Sequence, residues 1–158
     1  MIIISDTSVI TNLVQLQQLF ILESLFGQVV IPLKVYAELE KIPSQKTIID
    51  QTTWIEIRSV SNKRLFKKLE ALLDPGEAEA ITLAVELKAD LLLIDERKGR
   101  KVASDYGILI TGLIGILIEA KSNGLVSQVK PFFDKLIFEI GFRINPKLYQ
   151  EILKKIGE

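Results

Sequence analysis

The chain has 158 residues, of which 48% are hydrophobic and 25% are charged, and its 20 basic and 20 acidic side chains give a formal charge of zero. This length suits one globular domain, and the balanced charge provides no global field that would steer the chain to nucleic acid or to a membrane. Cysteine and histidine are absent, which excludes disulfides, thiolate nucleophiles, Cys/His zinc sites and histidine acid–base catalysis. In an enzyme of this composition, carboxylates are the expected catalytic groups.

Short apolar strands alternate with helices along the first half of the sequence. The residues predict, in chain order, a strand at 2–5, a helix in two pieces over 7–27, a strand at 28–31, a helix from Pro32 into Pro43, a polar segment with no assigned element, and a strand at 53–60. Gly27 is expected to close the first helical region, and Pro43 is expected to break the helix before it.

The second half continues this alternation. It predicts an amphipathic helix over 62–73, a helix from Asp74 to Lys88, a strand at 91–94, a helix over 97–106, a strand at 108–110, a helix from Leu113, and two more helices after Gly124. Asp74 and Pro75 form a strong helix start, with the aspartate as the N-cap and the proline in the first helical position.

These elements predict a single α/β domain over residues 1–158. Strands that are apolar throughout favour a parallel sheet covered on both faces, because a sheet with one face in water alternates polar and apolar residues. We therefore expect a three-layer α/β/α arrangement around a central parallel sheet of about five strands, with C-terminal helices from about residue 125 packing on it.

An acidic residue follows two of the apolar strands. "MIIISDTS" places Asp6 after the first strand, and "LLLIDERKGRKVA" places Asp95 after the fourth. The carboxyl ends of parallel strands border the crevice in which ligands bind, so neighbouring strands would bring both carboxylates to one cation. Each residue also has a simpler interpretation, because an aspartate after a strand commonly caps the helix that follows.

Helix geometry selects two further acids. With successive side chains about 100° apart, Glu77 shares the inward face of its helix with Ile81, whereas Glu79 points to water with Glu86. Glu38 lies at the edge of the apolar face of its own helix. The alternatives are that Glu77 completes a capping box with the preceding aspartate and that Glu38 is a surface charge.

Four basic residues follow the fourth strand within a few positions: Arg97, Lys98, Arg100 and Lys101. Beside a metal site they would hold a phosphate backbone, a contact that positions nucleic acid without reading its sequence. The alternative is that they form only the solvated face of a helix.

The chain resembles the PIN-domain family, a superfamily of metal-dependent nucleases that includes the VapC-type toxins of toxin–antitoxin systems. The resemblance rests on "DTSVITNL", "IPLKVYAELEK", "DPGEAEAITLA", "LLLIDERKGRKVA" and "ITGLIGIL", which fit the family in order and spacing over most of the chain. It implies a five-stranded parallel sheet with helices on both faces, a cluster of acids that binds Mg²⁺ or Mn²⁺, and hydrolysis of RNA.

The resemblance also assigns roles to individual residues. The implied metal-binding and catalytic acids are Asp6, Glu38, Glu77 and Asp95, and the accessory candidates are Thr7, Ser8 and Glu96. Hard oxygen ligands suit either metal, and the ion can acidify a water for attack on a phosphate. Many relatives carry a further acid where this chain has Arg97, and Glu96 is the candidate substitute. We expect the four main carboxylates to converge around one ion.

The interpretation we favour is a metal-dependent endoribonuclease, the toxin of an antitoxin pair, in the cytoplasm and without a membrane segment. The alternative is a catalytically inert PIN-like module that binds RNA or a protein, which the zero net charge and Arg97 favour. A phospho-acceptor receiver also clusters acids at strand ends, but it would carry an acid at Ser5, beside Asp6.

A homodimer is also expected. The segment "PFFDKLIFEIGF" carries more apolar residues than one inward helix face can bury, and exposed apolar area usually marks an interface. Part of this surface could instead receive an antitoxin peptide.

Overall fold

A computed structural model describes residues 1–158. Its strands are β1 (Ile3–Ser5), β2 (Val29–Pro32), β3 (Ile55–Arg58), β4 (Leu91–Leu93) and β5 (Ile110–Thr111). They form one sheet in the order β3-β2-β1-β4-β5, and every neighbouring pair is parallel. The chain moves outward from β1 to β3 and then crosses back to lay β4 against the other edge of β1. The direction of the strand order therefore reverses between β1 and β4.

Ten α-helices surround this sheet. They are α1 (Thr7–Gln15), α2 (Phe20–Phe26), α3 (Leu33–Leu39), α4 (Pro43–Gln51), α5 (Lys63–Glu70), α6 (Pro75–Leu87), α7 (Arg97–Asp105), α8 (Leu113–Ser122), α9 (Lys130–Lys135) and α10 (Pro146–Lys155). A π-helical segment, Leu136–Ile140, continues α9. None of the helices has the length and hydrophobicity needed to span a bilayer.

Successive strand residues point to opposite faces of the sheet, and both faces are apolar. Ile3 belongs to a core of 21 buried residues shared with α1, α2, α3, α4, α8, α9 and α10. Ile4 belongs to a second core of 12 buried residues shared with α5, α6 and α7. The predicted three-layer α/β/α arrangement around a parallel sheet is therefore confirmed.

Two local predictions about helix ends also hold. Gly27 closes α2 with φ at 77°, a left-handed value that glycine adopts without steric cost. Asp74 caps α6, since its side chain accepts a hydrogen bond from Glu77 N at 2.9 Å, and Pro75 occupies the first helical position.

The polar segment after Pro43 has no element assigned from the sequence, but in the structure it is helical. Pro43 begins α4 rather than ending a helix, because a proline fits the first helical position, where its missing N–H is not needed. The buried side chain of Gln45 donates to Leu39 O at 3.1 Å, which joins α4 to the end of α3. A tertiary contact thus stabilises a helix that hydrophobic periodicity does not reveal.

Glu79 does not point to water, which corrects the expectation for this residue. It is 7% exposed, and its carboxylate accepts from Lys34 N at 2.8 Å, at the start of α3. The residues of α6 from 76 to 84 are all buried, because α3 and α5 cover the helix on sides that the sheet does not. An amphipathic assignment fails for a helix enclosed in this way.

The apolar C-terminal segment is mostly buried within one chain. Phe133 and Leu136 are fully buried, and Phe132 and Phe142 pack against the larger core, whereas Phe138 is 80% exposed. One straight helix could not bury so many side chains, but this segment changes from α9 to a π-helix and then turns. The exposed area expected to drive dimer formation is therefore smaller than the sequence indicates, and the homodimer stays a prediction.

The carboxylate of Glu158 joins the C-terminus to the start of α9. It accepts from Val129 N at 2.8 Å, from Lys130 N at 2.9 Å and from Lys121 Nζ at 2.8 Å, and the side chain is 7% exposed. Burial acts to raise the pKa of Glu158, but these hydrogen bonds outweigh it and hold the pKa below its usual value.

Replacing Glu158 by Gln should lower the free energy of unfolding at neutral pH by about 1–2 kcal/mol, because hydrogen bonds to a charged acceptor are lost. A lowered pKa in the folded state contributes stability above the unfolded value of 4.5, and this contribution is lost as pH falls through the folded pKa. The loss in Glu158→Gln should therefore shrink when urea unfolding is repeated at about pH 3. The exposed Glu151→Gln is the matched control. Equal losses in both variants, or a loss independent of pH, would contradict this role.

Candidate functional site

An open pocket of about 780 Å³ lies beyond the carboxyl ends of β1 and β4. The register pairs Ser5 with Leu93, and Asp6 N donates to Leu93 O at 3.0 Å. Parallel α/β sheets bind ligands where the strand order reverses, which is this position. Six acidic residues line the pocket: Asp6, Glu38, Asp74, Glu77, Asp95 and Glu96.

Asp6 combines two roles that the sequence left open. Its carboxylate caps α1 by accepting from Val9 N at 3.3 Å, and the Ser8 hydroxyl lies 3.4 Å from both of its oxygens. The residue is 3% exposed, and this burial raises its pKa to about 7; the Val9 bond opposes the rise, and the charges of Asp95 and Asp74 add to it. Asp6 is therefore a cap and a pocket carboxylate at once.

Asp95 is held from a different helix than expected. Its Oδ1 accepts from Leu113 N at 2.8 Å, at the start of α8, whereas the N-cap of α7 is Glu96, which makes no side-chain capping bond. The interpretation of Asp95 as the cap of the next helix is therefore wrong. Burial raises its pKa, while the Leu113 bond and the charge of Arg100 lower it. Its second oxygen, Oδ2, is buried and has no hydrogen-bond partner.

Glu77 points into the site from the first turn of α6. Its Oε2 is buried without a hydrogen-bond partner and lies against Gly99 of α7, where an added Cβ would come within 2.8 Å of that oxygen. Burial raises the pKa of Glu77 to about 8, and a hydrogen bond with the side chain of Asp74 and the charges of Asp74, Asp6 and Glu96 raise it further. Glu77 therefore loses its proton less readily than an ordinary glutamate does.

Glu38 approaches from the end of α3. The hydroxyl of Thr7 donates to its Oε2, and the carboxylate rests against the backbone of Gly76, where an added Cβ would lie 2.6 Å from Oε1. Glu38 is therefore oriented by α1 and accommodated by α6. Thr7 and Ser8, the accessory candidates, each contact one of the predicted metal-binding acids.

The acidic side chains line the same pocket, but their carboxylates do not converge on one metal position. No three of them are arranged to hold one ion together, so the expected convergence in a single coordination sphere is not observed. Uncompensated carboxylates repel one another, which favours this spacing. Mg²⁺ usually keeps several waters and takes only one or two carboxylates directly, so the spacing is compatible with such an ion.

Two features of the site fit a hydrated divalent cation. The donor set consists of oxygens, which Mg²⁺ and Mn²⁺ prefer. Glu77 Oε2 and Asp95 Oδ2 are buried carboxylate oxygens without partners, and such atoms are costly unless a cation or a donor satisfies them.

The four basic residues after β4 separate in the structure. Lys98 lines the pocket, whereas Arg97 and Lys101 are exposed outside it. Arg100 donates through Nη1 to Ile94 O at 3.0 Å, so it supports the loop between β4 and α7. Glu96 lines the pocket, and Arg97 does not.

Several lining residues were not singled out from the sequence as site residues. They are Thr11, Asn12, Leu72, Leu73, Asp74, Phe142 and Arg143. The sequence did contain a signal for Asp74, because the "DPGE" motif places it three residues before Glu77. That motif was interpreted as a helix cap, so Asp74 was not assigned to the site. Phe142 and Arg143 had none, because only the tertiary fold brings the C-terminal segment to the ends of β1 and β4.

A family model described as a PIN domain matches residues 2–158. The chain belongs to the PIN-domain family. This family has a nuclease-type fold and generally uses divalent metals, which agrees with the oxygen-rich pocket. No curated protein matches the sequence. A receiver domain would have the strand order β2-β1-β3-β4-β5, so the phospho-acceptor interpretation is wrong for this PIN domain.

Gly76→Ala should displace Glu38 without unfolding the protein. The new Cβ would lie within 2.6–2.8 Å of both Glu38 carboxylate oxygens, and a flexible side chain yields more easily than a helix. We expect Mn²⁺ affinity to fall about tenfold, as it does when a group that orients a ligand is lost. Titration calorimetry measures the affinity, and a thermal melt verifies folding. Glu38→Gln should show the same direction of change; wild-type affinity in both variants would remove Glu38 from the metal site.

Asp6→Asn should change the pH dependence of stability in EDTA. The pKa of Asp6 is raised from 3.8 to about 7 on folding, so its contribution to stability is present below pH 3.8 and is lost as pH rises through about 7. Asparagine stays neutral at every pH, so the variant does not lose this stability. The free energy of unfolding of Asp6→Asn, relative to that of wild type, should therefore rise by about 1 kcal/mol or more between pH 5 and pH 8. Urea unfolding at both pH values measures this, with the exposed Asp105→Asn as control. A difference that does not change with pH would contradict the buried, crowded carboxylate.

Proposed function

We propose that this PIN-domain protein is a divalent-metal-dependent endoribonuclease that hydrolyses RNA phosphodiester bonds. Asp6, Glu38, Glu77 and Asp95 would hold Mg²⁺ or Mn²⁺. The observation that carries this proposal is the pair of buried, unpartnered oxygens, Glu77 Oε2 and Asp95 Oδ2, in an acidic pocket at the strand-order reversal.

The chain's own groups prepare the site for catalysis. Val9 N and Ser8 orient Asp6, and Leu113 N fixes Oδ1 of Asp95 while Oδ2 keeps its lone pairs available. A bound divalent ion would supply Lewis acidity, which lowers the pKa of a coordinated water and offsets charge on the phosphate.

Two side chains adjust the charge of the pocket. Burial and the neighbouring acids raise the pKa of Glu77 to about 8, which reduces the negative charge that an RNA phosphate would meet there. Lys98 brings a positive charge to the same pocket, where it can hold a phosphate without reading sequence.

We further propose that the protein is the toxin of an antitoxin pair, acting in the cytoplasm as a homodimer. The support for the toxin role is the similarity of its motifs to those of VapC-type members of the family. The support for an interface, with a second copy or with an antitoxin, is Phe138, which is 80% exposed in an otherwise largely buried apolar segment.

An inert RNA- or protein-binding module is the second candidate. It is favoured by the spacing of the carboxylates, no three of which can hold one ion together, and by Arg97 at the position of a family acid.

A cleavage assay separates the two candidates. Purified wild type should cut single-stranded RNA with Mg²⁺ or Mn²⁺ and stop in EDTA. Asp6→Asn and Asp95→Asn should each lose about a hundredfold or more in rate, because the ion supplies several kcal/mol of transition-state stabilisation. RNA binding should persist in both, since a negative charge that repels phosphate is removed.

The control is Asp105→Asn, which removes an exposed carboxylate outside the pocket and should cleave like wild type. Equal rates in all four preparations would indicate a contaminating nuclease and contradict the proposed site. Metal-independent RNA binding by wild type with no cleavage would favour the inert module.

A further inference from the structure

Substrate binding in this pocket faces an electrostatic obstacle. Six acidic side chains line it, and they repel the phosphates of any nucleic acid that enters. Only Lys98 and Arg143 among the lining residues carry positive charge, and neither forms a salt bridge with a protein carboxylate. Both are therefore available to a phosphate. Lys98 belongs to the basic run after β4, whereas Arg143 belongs to the C-terminal segment that precedes α10.

The backbone places Arg143 and its neighbour Phe142 by a defined turn. The π-helical segment Leu136–Ile140 ends at Gly141, whose φ is 87°, and Gly141 N and Phe142 N both donate to Leu136 O. A left-handed glycine reverses the chain at low cost, and π-helical segments occur frequently at functional sites. This turn delivers residues 142 and 143 to the pocket.

Phe142 is both anchored and accessible. It is half-buried, it packs against the larger core, and it is the only aromatic side chain that lines the pocket. Anchoring keeps the ring in place before a ligand arrives, so little side-chain entropy is lost on contact.

We propose that Phe142 and Arg143 form the substrate-positioning wall of the pocket, with Arg143 binding a phosphate of single-stranded RNA and Phe142 stacking on an unpaired base beside it. This inference rests on RNA being the substrate, as proposed above. Proteins that bind single strands combine cationic groups with aromatic platforms, and a base can stack on a side chain only when it has left its own helix. The wall therefore selects an unpaired base next to the phosphate to be cut.

Autoinhibition is the competing role for an arginine in an acidic pocket. An arginine that closed the site would pair with one of its carboxylates, and Arg143 pairs with none. The geometry thus favours a group that waits for an external anion.

The test measures RNA binding by fluorescence anisotropy, with Mg²⁺ present, in the 158-residue chain carrying Asp95→Asn, a substitution that prevents cleavage during the measurement. The added substitutions are Arg143→Gln, Phe142→Leu and Phe142→Tyr, with Arg64→Gln as a matched loss of charge. Arg64 is exposed near the start of α5, where Ser61 N and Asn62 N bond to Glu86, at the opposite end of α6 from the pocket. Leucine preserves apolar packing at position 142 but removes the aromatic face.

Arg143→Gln should weaken binding of a labelled single-stranded RNA about fivefold or more and reduce the salt slope by about 0.7, the value for one lost phosphate contact. Phe142→Leu should weaken binding of the same RNA about fivefold or more, and Phe142→Tyr should restore it. Neither variant at position 142 should affect binding of an abasic strand, which has phosphates but no bases. Arg64→Gln should bind like the background protein.

The cleavage assay supplies an independent readout in the chain with Asp95 intact. Arg143→Gln and Phe142→Leu should raise KM and leave kcat within about twofold, as the loss of uniform substrate binding does.

Two results would overturn the positioning wall. The first is that Arg143→Gln and Phe142→Leu bind the single-stranded RNA as tightly as Arg64→Gln does. The second is that Phe142→Leu weakens binding of the abasic strand as much as it weakens binding of the intact strand. Cleavage by wild type together with either result would leave the nuclease proposal intact. Conversely, if wild type does not cleave RNA but the variants show the expected binding losses, the positioning wall would be supported and the nuclease proposal would be contradicted.

Discussion

Asp6, which is buried, and Asp95, which is half-buried, lie at the same edge of the sheet because the strands that precede them are hydrogen-bonded to each other. Each strand is only three residues long, and the bond from Asp6 N to Leu93 O extends the pairing to the edge of the pocket. Two carboxylates placed there lose hydration, which raises the pKa of each, and the charge of Asp95 adds to the rise at Asp6. The surrounding structure either compensates this unfavourable charge or uses it.

The compensation comes from the helices that begin at this edge of the sheet. The first turn of α1 donates to Asp6 through Val9 N, and the first turn of α8 donates to Asp95 through Leu113 N. Helix N-termini carry partial positive charge, so both bonds stabilise an ionised carboxylate. They satisfy only part of each group's capacity, since Asp95 Oδ2 keeps no partner. A divalent ion in the pocket would satisfy the carboxylate oxygens that the helices leave without a partner. Gly76 and Gly99 leave room for the carboxylates of Glu38 and Glu77 beside it.

The sequence was sufficient where structure depends on residues close together in the chain. Gly27 ends α2 because of its backbone conformation, and Asp74 begins α6 because its side chain caps the helix. Apolar runs followed by an acid identified β1 and β4. It was insufficient where a contact comes from a distant element. Helix α4 depends on the bond from Gln45 to Leu39, and Glu79 is buried because α3 covers α6. Local periodicity contains neither fact.

The candidate site divides in the same way. Four acids could be selected because each sits at a strand end or on a predictable helix face, and the structure brings all four to one pocket. The partner of Asp95 at the start of α8 could not be predicted, and neither could Arg143, because each depends on how separate parts of the chain pack.

The central claim is that these acids hold a divalent cation between β1 and β4, and crystals grown with Mn²⁺ test it most directly. The anomalous difference map of wild type should contain a Mn²⁺ peak in the pocket, in contact with a carboxylate oxygen of Asp6 or Asp95, and crystals of Asp95→Asn should lack it. A wild-type map without Mn²⁺ in this pocket at millimolar concentration, or with the same peak in Asp95→Asn bound only to other residues, would contradict the claim.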